Sequence, residues 1–287
     1  MPVAVVCVAL AASTIAASAS SASETSSTLT LSQCQSAVRH QTLVSGKLTL
    51  ATDNPVQPPW YEHNQPSNAT GYEGALAYKI ATKLGFTAKN VVWTTEPFAQ
   101  SFQPGSKPFD MDLNEIAYTA TRAKNVTFSV PYYELQQSLV AMRTNRIVKN
   151  HSPSALSTYL YGAVAGSTSL TYATTHIKPT HAVKSYATLG AAEVALKAHA
   201  IDALVIDTPT GNTVVNWFLS SNSAAPAVQF GQFTAVGDLY YAAVMKKASS
   251  LAACVNVAIN AITQGGGLQK LKTTWLGAYN QVPLIQP

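Results

Sequence analysis

Short apolar runs and helical patterns alternate along this chain and predict the order of its elements. The apolar runs have the length of buried strands and cover residues 46–52, 91–93, 161–165 and 203–206. Helices are predicted over residues 71–85, 188–200 and 251–262. Strands that alternate with helices are typical of an α/β fold.

The two clearest helical patterns combine an apolar stripe with a glycine stop. Leu76, Ile80 and Leu84 recur at fourfold spacing, and the pattern ends at Gly85. The helix over 251–262 has the same kind of stripe and is followed by three consecutive glycines. We interpret both helices as packing elements without a chemical role.

Two extended segments divide the chain into two lobes. SLVAMR at 138–143 and YYAAVM at 240–245 each indicate a crossover, and two such strands form a hinge. The length of 287 residues also exceeds the usual size of one domain, about 150 residues. We therefore predict a first lobe of residues 46–138 and 238–287, with residues 139–237 inserted as the second lobe.

The composition describes a globular protein and does not favour nucleic-acid binding. Hydrophobic residues make up 47% of the chain and charged residues 11%, and the net charge of +5 contains no basic run. Only His176 and His181 lie close together, at a spacing that does not suit a metal site on a helix. We expect no nucleic-acid partner, no cofactor, no metal and no catalytic residue.

The amino-terminal region predicts export. Residues 3–17 form an apolar stretch too short to span a bilayer comfortably, and Ala17-Ser18-Ala19 offers a cleavage site. We assign residues 1–22 to a signal peptide and residues 23–45 to a tether and tail. The mature protein is then secreted or held in the periplasm or cell-surface space. A permanent amino-terminal anchor is the alternative, because an upstream extension would lengthen the apolar run.

Cysteine usage fits an exported protein. Of the three cysteines, Cys7 leaves with the signal peptide, so the mature chain holds Cys34 and Cys254. Two cysteines in an exported chain predict a disulfide. The alternative is two unpaired, buried thiols.

The stretch FDMDLNEIAYTATRAKNVTFSVPYY, residues 109–133, carries the main chemical feature of the sequence. Arg122 follows a short apolar strand and a threonine-rich turn. Its planar guanidinium can bind a carboxylate with two parallel hydrogen bonds. The alternative is a solvated surface arginine, the usual state of a lone arginine in a loop.

This stretch resembles the family 3 extracellular solute-binding proteins of ABC importers. The matching residues are Thr119, Arg122, Ala123, Lys124, Phe128, Ser129, Pro131, Tyr132 and Tyr133. The resemblance extends from about Gly46 to Gly277 and includes LQKLKTTWLG at 268–277, the family's final short helix. An actinobacterial-like branch of the family carries cysteines in the regions of Cys34 and Cys254.

The resemblance implies a two-lobe periplasmic-binding-protein type II fold, in which two α/β lobes are joined by a two-strand hinge. It also implies an amino-acid ligand between closing lobes and an ABC permease in the membrane as the partner. We expect a monomer that is not an enzyme.

The resemblance implies further ligand-binding residues at strand ends. Relatives contact the amino-acid carboxylate where this chain has Ser167 and Thr168, at the start of a helix whose free N–H groups suit an anion. Relatives bind the ligand's α-ammonium group with the aspartate that corresponds to Asp207, which ends a strand. All three positions have an alternative role as helix caps.

The resemblance also concerns two other positions. Trp60 lies in a loop that reaches the cleft in relatives, although Trp60 and Tyr61 are alternatively core residues. Ala117 stands where the family usually has a threonine donor near the ligand carboxylate.

Carboxylates favour a cationic ligand side chain. Asp53, Glu96 and Glu115 lie on segments expected to line the cleft, and a cation offsets the cost of dehydrating them. We therefore predict a polar L-amino acid, arginine or lysine before glutamine. The alternative function is an enzyme on the same scaffold, dehydratase-like or cell-wall lytic, with Glu115 as general acid or base.

Overall fold

The computed structural model of this chain describes Met1 and residues 29–220, 227–234, 239–277 and 282–285. The predicted signal peptide, residues 1–22, therefore lies outside the described residues apart from Met1. Residues 29–45 of the predicted tether and tail are described.

Helices and strands alternate through the described chain, as the sequence pattern predicts. The helices are α1 Leu31–Val38, α2 Tyr72–Lys83, α3 Phe98–Ser101, α4 Pro153–Leu156, α5 Thr168–Tyr172, α6 Leu189–Lys197, α7 Thr208–Ser220, α8 Ala252–Gln264 and α9 Gly267–Leu271. The strands are β1 Leu48–Thr52, β2 Val91–Thr95, β3 Met111–Asp112, β4 Val126–Phe128, β5 Tyr133–Glu134, β6 Gln137–Met142, β7 Tyr161–Val164, β8 Lys184–Tyr186, β9 Ala203–Asp207, β10 Ala227–Phe233, β11 Tyr240–Tyr241, β12 Val244–Lys246 and β13 Leu284–Ile285. Among the described helices, none is long and apolar enough to cross a bilayer.

The first lobe is built on a five-stranded sheet with the order β2-β1-β3-β12-β4. Strand β1 pairs in parallel with β2 and β3, whereas β12 is antiparallel to β3 and β4. Leu50 of β1, fully buried, is paired with Trp93 of β2 and with Met111 of β3. Because β1 and β3 run in parallel, their carboxyl ends and the loops that follow meet at one edge of the sheet.

The predicted apolar stripes of α2 and α8 meet in one buried cluster. Leu76 and Ile80 of α2 and Val255 and Ile259 of α8 belong to it and are at most 1% exposed. Burial of one such side chain contributes about 1.5–3 kcal/mol. Apolar burial therefore holds these two helices together, as their interpretation as packing elements requires.

Helix α1 lies in the predicted tether and tail, where the sequence predicts no helix. It begins with a capping box, because Thr30 and Gln33 exchange side-chain to backbone hydrogen bonds of 3.3 and 2.8 Å. Cys34 and Val38, one turn apart, are buried in the same cluster as α8. The predicted disulfide Cys34–Cys254 is present and joins α1 to α8.

The second lobe is built on a six-stranded sheet with the order β13-β10-β6-β9-β7-β8. Strand β6 is antiparallel to β9 and β10, and β7 is parallel to β8 and β9. Strand β13 was assigned to the first lobe with residues 238–287, but it pairs with β10 of the second sheet. Gly231 permits this long-range pairing: a Cβ there would lie 2.5 Å from the Ile285 side chain, so the bare glycine makes room for it.

The chain passes between the lobes earlier than the predicted crossover. Residues 138–143 belong largely to β6 inside the second sheet, and residues 240–245 divide between β11 and β12. A two-stranded ribbon of β5 and β11 lies at the passage, with Tyr133 paired to Tyr241. An apolar extended pattern is common to a crossover and a central strand, which explains the misplacement.

Candidate functional site

A cleft of about 670 Å³ lies between the two lobes. Its walls include the carboxyl ends of β1, β7 and β9 and the loops that follow β1, β3 and β7. Asp53 and Glu115 line it from the first lobe, and Ser167 and Asp207 line it from the second. Strand ends from two sheets therefore face one shared space, which is the usual location of a ligand in open α/β folds.

Arg122 lines this cleft from a 3-10 turn and has its guanidinium fixed on several sides. Nη1 donates to the Ala117 carbonyl oxygen at 2.6 Å, and Nη2 donates to the Gly166 carbonyl oxygen of the second lobe at 2.7 Å. The guanidinium carbon lies 4.0 Å from the ring centroid of Phe102. Burial lowers the pKa of Arg122 to about 10, so the side chain is still a cation at neutral pH.

The surface alternative for Arg122 is therefore wrong, since the residue is only 6% exposed. A buried, planar cation at the wall of a cleft suits a carboxylate, because the fork can donate two hydrogen bonds at once.

Asp207 lines the cleft and also caps a helix. Its Oδ2 accepts the Thr210 hydroxyl group at 2.8 Å and the Thr210 backbone N–H at 3.3 Å, which satisfies the first turn of α7. Burial raises the pKa of Asp207, and hydrogen bonds from Thr210 and Tyr241 partly offset this rise. The capping role and the cleft-facing position thus coexist in one carboxylate.

The Glu115 side chain, in the first lobe, contacts Thr210 of the second lobe. Its Oε2 lies 2.7 Å from the Thr210 hydroxyl oxygen, which is hydrogen-bond distance. The backbone of Glu115 has φ of +52°, a left-handed conformation that side chains other than glycine seldom adopt. Desolvation and the charge of Asp207 raise the pKa of Glu115 well above its ordinary value. Such a conformation at a cleft residue is typical of a functional position.

Glu73 of α2 accepts a hydrogen bond from the Glu115 backbone and was not predicted as a site residue from the sequence. Helix α2 was predicted to have a packing role only. The Glu73 Oε1 accepts the Glu115 backbone N–H at 2.9 Å and also the Tyr132 hydroxyl group. The side chain is fully buried, and burial raises the pKa of Glu73 to about 7. The available signal was its position three residues before Leu76, which places an acid on the apolar stripe of α2.

Direct hydrogen bonds join the two lobes. The Trp60 Nε1–H donates to the Thr210 hydroxyl oxygen at 2.7 Å, and the Thr213 hydroxyl group donates to the Pro58 carbonyl oxygen at 2.6 Å. Together with the bond from Arg122 to Gly166, these contacts define a closed arrangement of the two lobes.

Trp60 itself is a core residue. It is fully buried and makes edge-on contacts with the rings of Tyr72, Tyr133 and Tyr241 at centroid distances of 5.2–5.7 Å. Tyr61 is also buried, and its hydroxyl group donates to the Leu113 carbonyl oxygen at 2.6 Å. The core alternative for this aromatic pair is therefore the one observed, and Trp60 contacts the site through Thr210 and Tyr241.

Ser167 and Thr168 line the cleft at the start of α5. The Ser167 hydroxyl group accepts the Leu170 backbone N–H at 3.1 Å and donates to the Val164 carbonyl oxygen at 2.7 Å. Ser167 therefore acts as the predicted helix cap and lines the cleft at the same time.

The remaining predicted residues differ in position. Asp53 lines the cleft, and its two carboxylate oxygens accept the backbone N–H groups of Asn54 at 2.7 Å and Phe98 at 3.2 Å. Glu96 and Ala117 are not among the described residues that line the cleft. Ala117 contributes to the site through its backbone carbonyl oxygen, which accepts a hydrogen bond from Arg122.

Thr210 and Tyr241 are site residues that the sequence reasoning missed. Thr210 lies one residue beyond the Asp207-Thr208-Pro209 turn, so a cap analysis of the helix start offered a signal. Tyr241 was interpreted only as part of a crossover. Its role depends on the pairing of β5 with β11, which brings separate parts of the chain together.

This fold and cleft define a two-lobe solute-binding protein. The model of bacterial extracellular solute-binding proteins, family 3, matches residues 48–278, and the chain belongs to this family. No curated protein sequence gives a significant match.

Solved structures give the same fold. An ancestral arginine-binding protein bound to glutamine is 26% identical, with a TM-score of 0.65 over 82% of this chain and 99% of that chain. An amino acid ABC transporter substrate-binding protein from Streptococcus pneumoniae bound to L-arginine is 20% identical, with a TM-score of 0.63 over 86% and 97%. The arginine-, lysine-, histidine-binding protein ArtJ from Geobacillus stearothermophilus is 18% identical, with a TM-score of 0.63 over 82% and 97%. The latter two comparisons show the two-lobe α/β fold.

Proposed function

We propose that this protein binds an L-amino acid between its lobes and delivers it to an ABC permease outside the cytoplasm. The observation that carries the proposal is the opposition of charge in one cleft. A buried cation, Arg122, lies in its wall, and the carboxylates Glu115 and Asp207 lie elsewhere in the same wall. A zwitterion has the complementary pair of charges.

The ligand's carboxylate group binds at Arg122 in this proposal. The contact from Arg122 to the Gly166 carbonyl oxygen lies beside Ser167 and Thr168, so polar groups of the second lobe surround the same end of the cleft. The α-ammonium group binds at Asp207 and Glu115. A ligand held at both ends contacts both lobes, and its binding energy then favours the closed population that a permease recognises.

The preferred side chain in this proposal is cationic. Asp53 supplies a carboxylate at the cleft wall beyond the two assigned to the ammonium group. Known structures of similar fold include a protein bound to L-arginine and an ancestral protein bound to glutamine. We therefore expect arginine or lysine to bind more tightly than glutamine.

Export and a monomeric state are part of the same proposal. The family description is extracellular, and the sequence begins with an apolar stretch followed by a cleavage site. The disulfide between Cys34 and Cys254 is of the kind that persists in an oxidising compartment.

Binding without catalysis is favoured over the alternative of an enzyme with Glu115 as general acid or base. The Glu115 side chain is bonded to Thr210 of the other lobe, and its backbone is bonded to Glu73. These contacts favour a role in lobe closure and ligand recognition. Recovery of the bound amino acid unchanged, checked by mass spectrometry after prolonged incubation, is the expected outcome.

A thermal-shift screen of the twenty L-amino acids tests the proposal. An amino acid present at about 100 times its dissociation constant adds about 2.7 kcal/mol to the free energy of unfolding. Arginine or lysine should give the largest shift, and Arg122→Ala should lose it. If no amino acid shifts the transition, the proposed function is wrong.

Alanine variants separate the predicted acidic residues. Asp53→Ala should weaken arginine binding more than glutamine binding, because Asp53 is the cleft carboxylate left for a cationic side chain. Glu115→Ala should weaken both to a similar extent, because both ligands carry the α-ammonium group. Glu96→Ala should have a smaller effect than the sequence alone predicts, since Glu96 is not among the described lining residues. Equal losses for the two amino acids in Asp53→Ala would contradict the charge argument.

A further inference from the structure

We propose that Glu115 and Asp207 share one proton across the closed cleft through the Thr210 hydroxyl group, and that binding of the ligand's ammonium group releases it. This inference rests on the proposed function, because it concerns Glu115 and Asp207, which we call the acidic end of the same cleft. It adds a proton to the binding reaction and assigns Thr210 as a positioning residue.

The hydrogen-bond count at Thr210 carries the argument. The Thr210 hydroxyl oxygen lies 2.7 Å from Trp60 Nε1, 2.7 Å from Glu115 Oε2 and 2.8 Å from Asp207 Oδ2. A hydroxyl group has one hydrogen and two lone pairs. The indole N–H can only donate, so it takes one lone pair and leaves the hydroxyl hydrogen for one carboxylate.

The second carboxylate then faces the remaining lone pair of Thr210. Two oxygen acceptors at this distance repel each other unless a hydrogen lies between them. The second carboxyl group satisfies the contact by donating its own hydrogen, which requires it to be protonated. The closed arrangement therefore holds one proton on the pair Glu115 and Asp207.

The surroundings also favour retention of that proton. Acids on the elements packed around the pair include Asp53, Tyr61, Glu73, Tyr133 and Tyr241. The cation that lines the same cleft is Arg122, whose guanidinium donates to the Ala117 and Gly166 carbonyl oxygens. Burial raises the pKa of Glu115 and of Asp207, and their mutual repulsion raises that of Glu115 further. Carboxylates that share a site keep one proton for this reason.

An ammonium group replaces the proton in its structural role. It carries three N–H donors and a positive charge, so it can donate to both carboxylates at once. The carboxyl O–H bond then breaks, and the proton passes to the solvent. Ligand affinity should consequently rise with pH until the ligand-free pair no longer holds its proton.

Calorimetry on the full mature chain tests the release. L-arginine is titrated at neutral pH into the protein in phosphate and in Tris, two buffers with different heats of ionisation, and L-glutamine serves as a second probe. The difference in binding heat between the buffers gives the number of protons released, and we expect close to one. Below neutral pH the affinity should fall by at most about tenfold for each decrease of one pH unit, as expected for one linked proton.

Variants identify the source of the proton. Glu115→Gln keeps a hydrogen-bonding side chain but has no carboxyl proton, so it should bind with heat that is independent of buffer and affinity that is flat with pH. Thr210→Val should also lose the release, and Thr210→Ser should restore it. Glu134→Gln is the matched control, because Glu134 is exposed on β5 and its loss should leave the proton release intact.

The outcomes separate this inference from the proposed function. Binding with buffer-independent heat in the wild-type protein overturns the shared proton while the amino-acid assignment stands. Undiminished proton release in Glu115→Gln also overturns it. Absence of any heat or thermal shift with the amino acids overturns the proposed function and this inference together.

Discussion

Buried charge is stabilised differently at the two ends of the cleft, the cationic end at Arg122 and the acidic end at Glu115 and Asp207. At the cationic end, Arg122 donates to two backbone carbonyl oxygens and lies against an aromatic ring, so two of its five N–H donors are used without a ligand. At the acidic end, Glu115 and Asp207 compete for the hydroxyl hydrogen of Thr210. The cation therefore has acceptors in place, whereas the two carboxylates share one hydroxyl hydrogen.

This difference indicates what a ligand changes at each end. A carboxylate at Arg122 exchanges one set of acceptors for another, and the charge of the arginine stays the same. An ammonium group at the acidic end adds donors where they are scarce. In the proposed function, the cationic end therefore fixes the orientation of the ligand, and the acidic end couples its binding to protons.

The largest expected effect comes from removal of the cationic end. Arg122→Ala should weaken amino-acid binding by about 2–5 kcal/mol, because the buried partner of the ligand carboxylate is lost. Isothermal calorimetry measures the change. Arg122→Lys should also bind weakly, since an ammonium group lacks the planar fork.

Arg39→Ala is the control for that change. Arg39 is an exposed arginine that donates to the Gly85 carbonyl oxygen at 3.3 Å and is not among the described residues that line the cleft. Its loss should leave binding unchanged. Wild-type affinity in Arg122→Ala would contradict the assignment of the cationic end.

The next effect concerns stability and pH at the acidic end. Burial raises the pKa of Glu73 to about 7 from an ordinary value of 4.5, so the folded state holds the proton more tightly than the unfolded state. The stabilisation is complete below pH 4.5 and is lost as pH rises through 7. The difference between the two pKa values corresponds to on the order of 3 kcal/mol in the free energy of unfolding.

Glu73→Gln should reduce this loss of stability with pH, because the amide cannot titrate. Urea unfolding of the ligand-free protein at a series of pH values measures it. Glu134→Gln, at an exposed position, should retain the wild-type slope. An identical slope in the Glu73 and Glu134 variants would show that Glu73 does not set it.

A smaller effect is expected from the donor that joins the first lobe to Thr210. Trp60→Phe removes the indole N–H and should weaken binding by about 1 kcal/mol, as expected for one hydrogen bond. Trp93→Phe is a matched control, since Trp93 donates to the Tyr78 hydroxyl oxygen within the first lobe. Equal effects of the two substitutions on affinity would remove the special role of Trp60.

The smallest effect concerns the second contact between the lobes. Thr213→Val removes the donor to the Pro58 carbonyl oxygen and should weaken binding by about 0.5–1.5 kcal/mol. Thr213→Ser should restore most of the loss. Titration calorimetry of both variants would detect an absence of this rescue.

Much of the fold follows from local patterns in the sequence. The stripes of α2 and α8, the buried run of β1 and the stretch around Arg122 each depend on neighbours in the chain, and each lies where it was predicted. The disulfide followed from the number of cysteines in an exported chain. These features need no knowledge of the tertiary arrangement.

The misplaced features depend on pairing between distant segments. Strand β13 joins the second sheet because Gly231 leaves room for Ile285, and the ribbon of β5 and β11 exists only when two remote segments meet. Neither event leaves a periodic signal.

The site divides in the same way. Arg122 and Asp207 follow strands or turns that the sequence marks, so their positions could be predicted. Glu73 and Thr210 became site residues through contacts with Glu115, across 42 and 95 residues of sequence. Local patterns mark Glu73 as an acid on an apolar stripe and Thr210 as a helix-start residue, but they do not show that both contact Glu115.

The most direct test of the charge-opposed cleft is a thermodynamic cycle on the cationic end. The affinities of L-arginine and of agmatine, its decarboxylated analogue, are measured by calorimetry for the wild-type protein and for Arg122→Ala. We expect the wild-type protein to prefer L-arginine strongly and Arg122→Ala to lose this preference, with a coupling energy of at least about 2 kcal/mol. An equal loss of affinity for both compounds in Arg122→Ala would contradict the claim that Arg122 binds the ligand carboxylate.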